Sequence, residues 1–384
     1  MSGILDWLND NPARIHEGPA RMKGQDGFII GSTTMSRSRH GAMAGFDHAD
    51  GFAGTAARDG SQGRRGVLLW RPGRQQCFPR WHGRPLVRYN NTGGDGKGHL
   101  FVLEANTGAV LSDIVTTTGT TTTPSGLAQI SAFAVNGQAD ATVDSVYGGD
   151  LLGNVWRFNL GAGTAVRLAT LTDGTNPQPI TSTMELANVQ TLAGTKRMIF
   201  VGTGQMLAAA DILTTQTQGF YGLVDDMTSN PTIADPRTEL SKKALTATAT
   251  TRSIPGTAVD YTSKKGWYFD LPAGERVNTD SQAAYGGIMF SSNLPSSSAC
   301  SSSSYLYAVG LASGGELPPP AGTVKQPAGQ LLGSALASRP IIVLTSSGTV
   351  KAITHLANNG VVVLQPAVSA SLPPRTMAWK AITR

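Results

Sequence analysis

The chain has 384 residues, only 15% of them charged, with 46 glycines and a formal net charge of +6. That length can bury a sizeable core as one large β domain or two ordinary domains, and the Gly, Thr and Ser content favours short strands over helical bundles. No stretch reaches the roughly 18 to 20 apolar residues of a membrane helix, and the arginines crowd before residue 90 instead of forming a basic helix or a basic patch interleaved with aromatics, so nucleic acid is excluded as a partner.

The start, Met1-Ser2-Gly3-Ile4-Leu5-Asp6, has neither a basic n-region nor a long apolar core, so an export signal would lie outside this chain. Ile4 to Asn9 looks like the end of an amphipathic helix. Residues 13–89 form an irregular Arg/Gly-rich region in which acidic residues vanish between Asp59 and Asp95. Only Gly66 to Trp70 reads there as a strand. An out-of-frame reading of GC-rich DNA, a disordered linker and an insertion would each give such text.

From Tyr89 onward, short alternating runs bounded by Gly, Asn, Asp or Thr predict β structure. Five are prominent: 98–108, 153–160, 218–225, 304–309 and 348–353. Their spacing suits sheets of about four strands, some with insertions, stacked radially so that each covers its neighbour's faces. The Thr116–Thr123 run, Leu317 to Pro320 and the serines from Ser296 to Ser304 read as loops. Gln205 to Ala210 predicts a helical turn or two. Cys77 and Cys300 form no CxxC pair, which argues against a zinc site and leaves one long-range disulfide open.

One window carries oxygen at alternate positions: Asn136, Gln138, Asp140, Thr142 and Asp144. A loop wound around a hard cation turns alternate residues inward, and calcium takes six to eight oxygens at flexible geometry, about the number such a loop offers. Here four side chains and the Thr142 carbonyl would contribute, with Asp144 closing the shell. A solvated Asx-type turn between strands is the competing interpretation.

Other motifs carry less. Phe200-Val201-Gly202-Thr203-Gly204 lacks the last glycine of a dinucleotide fingerprint and is expected to be a turn between strands. Gly94 to Gly98 lacks phosphate-loop spacing and is expected to be a β-turn. The six histidines show no paired metal spacing, and no GxSxG elbow is present. Asp225-Asp226 reads as a solvated turn, and Trp156, Trp267 and Trp379 as packing between sheets.

Tyr147-Gly148-Gly149-Asp150-Leu151-Leu152-Gly153-Asn154-Val155-Trp156-Arg157-Phe158 closely resembles the propeller signature of the PilC/PilY family of type IV pilus assembly proteins and tip-associated adhesins. Asn91 to Gly98, Phe200 to Gly204, Gly266 to Pro272 with Gly274-Glu275-Arg276-Val277, and Trp379 to Ile382 resemble it too. The resemblance implies an all-β, quinoprotein-dehydrogenase-like β-propeller, seven-bladed in the family and incomplete here. Residues 1–12 would precede the propeller, and residues 90–384 would form it. Tyr147, Gly149, Asp150, Gly153, Asn154, Trp156 and Phe158 would be its structural signature. In the family the preceding loop binds Ca2+. Asp140 and Asp144 match its pattern, while Asn136 and Gln138 keep an oxygen and lose charge.

The resemblance further implies a non-enzymatic module that supports pilus biogenesis, twitching motility and adhesion. Pilins or minor pilins would be its partners, with host surface ligands beside them. Its place would be the pilus tip at the cell surface, reached through the periplasm and outer membrane. The alternatives are a secreted carbohydrate-binding propeller and a quinoprotein dehydrogenase, the latter suggested by Leu103 to Gly108 but lacking vicinal cysteines and a tryptophan-docking repeat.

Overall fold

The computed structural model describes residues 95–368, apart from short stretches at 105–109, 137–139, 229–230, 298–300, 320–323 and 347, together with three strands nearer the N-terminus. Those three are β1 (Arg21–Met22), β2 (Gly27–Ser32) and β3 (Arg65–Leu68). With β4 (His99–Glu104) and β5 (Val110–Val115) the first sheet runs β3-β2-β4-β5. Antiparallel pairing from Gly27↔Glu104 to Gly31↔Leu100 joins β2 to β4 across an excursion covering residues 33–98. Besides β3, where a strand was expected, β1 and β2 therefore lie in the region expected to be irregular. Phe28-Ile29-Ile30 is a continuous apolar run between glycines, a strand pattern that an alternation test misses.

The second sheet is built from β6 (Ile130–Asn136), β7 (Asp140–Gly149), β8 (Asn154–Asn159) and β9 (Thr164–Thr170), with β1 parallel to β7. The third follows with β10 (Glu185–Thr191), β11 (Gly194–Gly202) and β12 (Gly219–Val224). A 3-10 helix at Ala209–Leu213 interrupts it, a few residues beyond the helical turn expected at 205–210. A helical turn at Pro236–Glu239, capped by the Asp235 carboxylate, leads to β13 (Ser241–Lys242), β14 (Thr246–Ala247), β15 (Thr251–Ser253) and β16 (Gly266–Asp270). β16 completes the third sheet in the order β10-β11-β12-β16-β13.

The fourth sheet comprises β17 (Gln282–Ala284), β18 (Gly287–Leu294), β19 (Ser303–Gly310) and β20 (Gly329–Gly333), extended by β15 and β14. β19 takes in Ser303 and Ser304, the end of the serine run expected to be loop. The fifth holds β21 (Ile341–Leu344), β22 (Val350–His355) and β23 (Val361–Leu364). All five prominent alternating runs are strands: β4, β8, β12, β19 and β22. In the second and third sheets β8 and β12 are the third strands, flanked on both sides and buried on both faces.

The sheets stack face to face. Leu100 and Ile114 of the first meet Val146, Trp156 and Phe158 of the second. Tyr147, Val155 and Leu168 of the second meet Ile199, Val201, Tyr221 and Leu223 of the third. Phe220, Trp267 and Phe269 of the third meet Ile288, Phe290 and Tyr307 of the fourth, with the Phe220 and Phe290 rings stacked at 3.9 Å. Leu306 and Leu332 of the fourth meet Ala352 of the fifth. Along β12, Phe220 faces one neighbour while Tyr221 and Leu223 face the other, the period of two that lets one strand serve two interfaces.

The first strands of the second to fifth sheets, β6, β10, β17 and β21, adjoin one another in that order and define an axis. Hydrogen bonds tie them. The Thr183 amide donates to Asp280 Oδ1 (2.9 Å), the Thr183 hydroxyl pairs with Gln129 Oε1, and the Ala283 amide donates to Glu185 Oε1 (3.2 Å). No sheet closes on itself among the described residues, and the architecture is a radial stack.

Candidate functional site

The hairpin β6–β7 carries the predicted cation ligands. Pairing is regular from Ile130↔Gly148 to Phe133↔Ser145, then slips to Ala134↔Val143 and again to Asn136↔Asp140. Asp144 is thus skipped by the ladder, and Asn136 and Asp140 face each other at the hairpin's turn end. Gln138, between them, lies outside the described residues, as do the side chains of Asn136, Asp140, Thr142 and Asp144.

The nine-residue free loop expected over 136–144 is corrected: Asp140, Thr142 and Asp144 belong to β7, with Val143 buried beneath the first sheet. Oxygen-bearing and apolar residues in alternation describe an amphipathic strand as well as a ligand loop, and the ladder claimed them. In a flat strand Asp140 and Asp144 would stand about 13 Å apart. The two register shifts bend this end of β7, as bulges do. The residue types at the turn end suit a hard cation; Thr142 and Asp144 would join them only where β7 leaves the ladder. Among the described residues no three His, Cys, Asp or Glu side chains gather into a metal-holding group.

The signature that follows is a buried turn. Asp150 is fully buried and accepts from the amides of Leu152 (3.0 Å) and Asn154 (2.8 Å), Asn154 Nδ2 (2.9 Å to Oδ2) and Trp156 Nε1 (2.9 Å). Burial pushes its carboxyl up to about 6, against the pull of those donors. Gly153 has φ +77°, and a Cβ there would lie 2.5 Å from the Leu171 carbonyl oxygen. At Gly149 a Cβ would lie 2.3 Å from Ile180, so the connection between β9 and β10 approaches closely there. Asn154 Oδ1 accepts from the Thr170 hydroxyl (2.8 Å), tying β8 to β9. Trp156 and Phe158 fill the interface with the first sheet, confirming the packing role expected of Trp156. Trp267 packs likewise between the third and fourth sheets, its indole N–H donating to the Leu311 carbonyl (2.9 Å). Trp379, Cys77 and Cys300 lie outside the described residues.

The opposite face of the signature reaches the third sheet. Tyr147 Oη donates to Asp225 Oδ2 at 2.8 Å, and Arg157 Nη1 is paired with Asp225 Oδ1. The Asp225 side chain is 0% exposed and that of Arg157 6%. Burial and the neighbouring carboxylate both hold the Tyr147 phenol far above its usual range. Asp225 is therefore no solvated turn residue. Asp226 stays at the surface. Nothing in the Asp225-Asp226 dipeptide marks the partner, 68 positions away; an arginine inside an otherwise buried strand at 157 was the available signal.

A second buried network locks the fourth sheet. Glu275, 0% exposed, takes Arg252 Nη2 at 2.8 Å on one oxygen and Ser292 Oγ (2.6 Å) and Tyr307 Oη (2.7 Å) on the other. The Arg252 guanidinium lies 3.6 Å from the centre of the Tyr305 ring. Neighbouring Arg276 donates to the carbonyls of Gln205 (3.0 Å), Asp211 (2.6 Å) and Thr214 (2.8 Å), fastening the 3-10 segment of the third sheet.

Where the lead-in loops of the inner strands meet, a cavity of about 540 Å³ opens at the axis. Gln129, Thr181, Asp280 and Arg339 place four consecutive sheets on its rim.

Stacked antiparallel sheets whose first strands share an axis define a β-propeller-type protein. Residues 83–252 match the family model described as the PilY1 beta-propeller domain. A Xylella fastidiosa protein named type IV pilus biogenesis factor PilY1 homolog is 33% identical over 267 residues, covering 59% of this chain and 17% of the relative. Pseudomonas aeruginosa type IV pilus biogenesis factor PilY1 is 29% identical over 181 residues, covering 42% of this chain and 15% of its own length. The chain thus spans about a sixth of these relatives. The crystal structure of the P. aeruginosa PilY1 C-terminal domain superposes with a TM-score of 0.59 at 17% identity, over 78% of this chain and 75% of that one. That likeness shows the fold.

Proposed function

We propose that this chain is a non-enzymatic module of a type IV pilus, exported through the periplasm to the cell surface and held at the pilus tip. There it supports pilus assembly, twitching motility and adhesion, with pilins or minor pilins as partners and host surface ligands as further ones. The observation that carries this reading is the PilY1-type domain match over a stack braced by buried carboxylates: Asp225 across the second and third sheets, Asp150 within its turn and Glu275 within the fourth sheet. A load-bearing tip module needs that kind of cross-linking between sheets.

Calcium belongs to the same proposal. Asn136, Gln138 and Asp140 would hold the ion at the turn end of the β6–β7 hairpin, with Thr142 and Asp144 completing the set as the start of β7 detaches. The ion supplies a fixed positive charge there, and ladder pairing opposes it. Binding would shift the hairpin between two arrangements, which is how a local charge change biases a surface.

The test is made in a strain whose only copy carries the change. Removing residues 127–368 is expected to abolish surface pili, and unaltered piliation would reject the pilus role. Asp140→Ala with Asp144→Ala is expected to abolish the heat of calcium binding by the purified chain and to alter pilus numbers. Unchanged calcium heat would reject the ion while leaving the pilus role standing.

A further inference from the structure

The axial cavity has a chemistry of its own. Its 540 Å³ lies within the roughly 300 to 1,000 Å³ of ligand pockets. Its aliphatic lining comes from Met206, Leu207, Leu336, Ile341 and Leu356. Amides and hydroxyls line it as well, among them Gln129, Asn278 and Thr279. Asp280 of the fourth sheet and Arg339 of the fifth bring opposite charges to the rim.

The walls are set in advance. Asn293, 1% exposed, accepts from the Ala337 amide (2.7 Å) and donates to the Ala337 carbonyl (3.1 Å) and to Asn278 Oδ1 (2.9 Å). The Thr181 hydroxyl donates to the Gly204 carbonyl (2.9 Å), and Asp280 is anchored by the Thr183 amide. A site so held loses little freedom when a ligand enters.

The lining disfavours several ligand classes. Among the described lining residues the one ring is the His355 imidazole, a single small face where successive bases or a sugar would need a broader platform. One carboxylate is too few for a hard-cation cage. One guanidinium is too few for a polyanion. What pairs aliphatic groups with evenly spaced amides is an extended peptide, and the split of charge between Asp280 and Arg339 suits its two directions.

We infer that the axial cavity is a binding site for a short extended peptide with aliphatic side chains. This stands on the cavity alone and is independent of the pilus assignment. The probe is the tetrapeptide Ala-Leu-Val-Ala, followed by saturation-transfer NMR on the 384-residue chain, with tetraglycine and methyl α-mannoside as comparisons. Saturation is expected on the leucine and valine methyls, with tetraglycine at least tenfold weaker. Ile341 is 47% exposed, so Ile341→Trp can fill the cavity without crowding the core. It and Leu207→Trp are each expected to weaken binding at least tenfold. Leu192→Trp, at a fully exposed turn, is expected to change nothing. Absence of transfer at millimolar peptide, equal loss in Leu192→Trp and Ile341→Trp, or binding of the mannoside in place of the peptide would overturn the inference.

Discussion

Asp225→Ala removes the acceptor shared by Tyr147 and Arg157 at the interface of the second and third sheets. Both partners stay buried, Tyr147 at 0% and the Arg157 side chain at 6% exposure, so water cannot take the place of the lost carboxylate. Breaking one partner from a buried ion pair costs about 3 to 5 kcal/mol, mostly from the stranded charge. At roughly 2 °C per kcal/mol for a domain of this size, the melting temperature should fall by about 6 to 10 °C. The neighbouring Asp226→Ala is the control, since it loses an exposed bond from the Thr228 amide (2.9 Å) and should cost only about 1 kcal/mol. Arg157→Met combined with Asp225→Leu should recover most of the loss, because no unpaired charge remains. Calorimetric or circular-dichroism melting of the four proteins decides the matter. If Asp225→Ala melts within about 1 °C of Asp226→Ala, the ion pair does not fasten the two sheets and the reasoning fails.

Gly153→Ala should destabilise by about 2 kcal/mol or more, since it adds a Cβ 2.5 Å from the Leu171 oxygen at φ +77°, whereas Gly174→Ala, with open space around it, should cost about 1 kcal/mol in urea unfolding. Asp150 has a folded pKa raised to about 6 from a reference of 3.8, so its contribution is greatest below the unfolded value and is lost as pH rises through about 6. The chain should therefore melt higher at pH 5 than at pH 7, and Asp150→Asn should flatten that difference. His99 lies between Asp95 (3.1 Å) and Asp113 (3.0 Å), which raise its pKa against burial. NMR titration should place it above the ordinary histidine value and Asp113→Asn should lower it. Its stabilisation, present below about 6.5, is lost as pH climbs through the folded value.

The sheet architecture was legible because third strands such as β8 and β12 are buried on both faces and so carry the densest aromatic and β-branched text. First strands such as β10, half exposed along the axis, read as ordinary polar sequence. The signature residues were legible as a motif, and their roles were not: that Asp150 collects four donor groups depends on a turn geometry no spacing reveals. Asp225 and Glu275 stayed hidden for another reason. Their partners Arg157 and Arg252 come from distant strands, and a carboxylate beside a turn looks solvated until the neighbouring sheet is placed over it. The 136–144 window shows the converse case: its period of two reads as a ligand loop, and the backbone carries the same residues from Asp140 onward as a strand.

Hydrogen exchange followed by mass spectrometry on the 384-residue chain tests the stacked-sheet account most directly. Strands β8, β12 and β19, each sandwiched between neighbouring strands, should be the slowest to exchange and should share one opening free energy, as parts of a cooperative unit do. The exposed fifth sheet should exchange faster. Exchange of β8 or β12 at the rate of the Thr116–Thr123 loop would contradict the account.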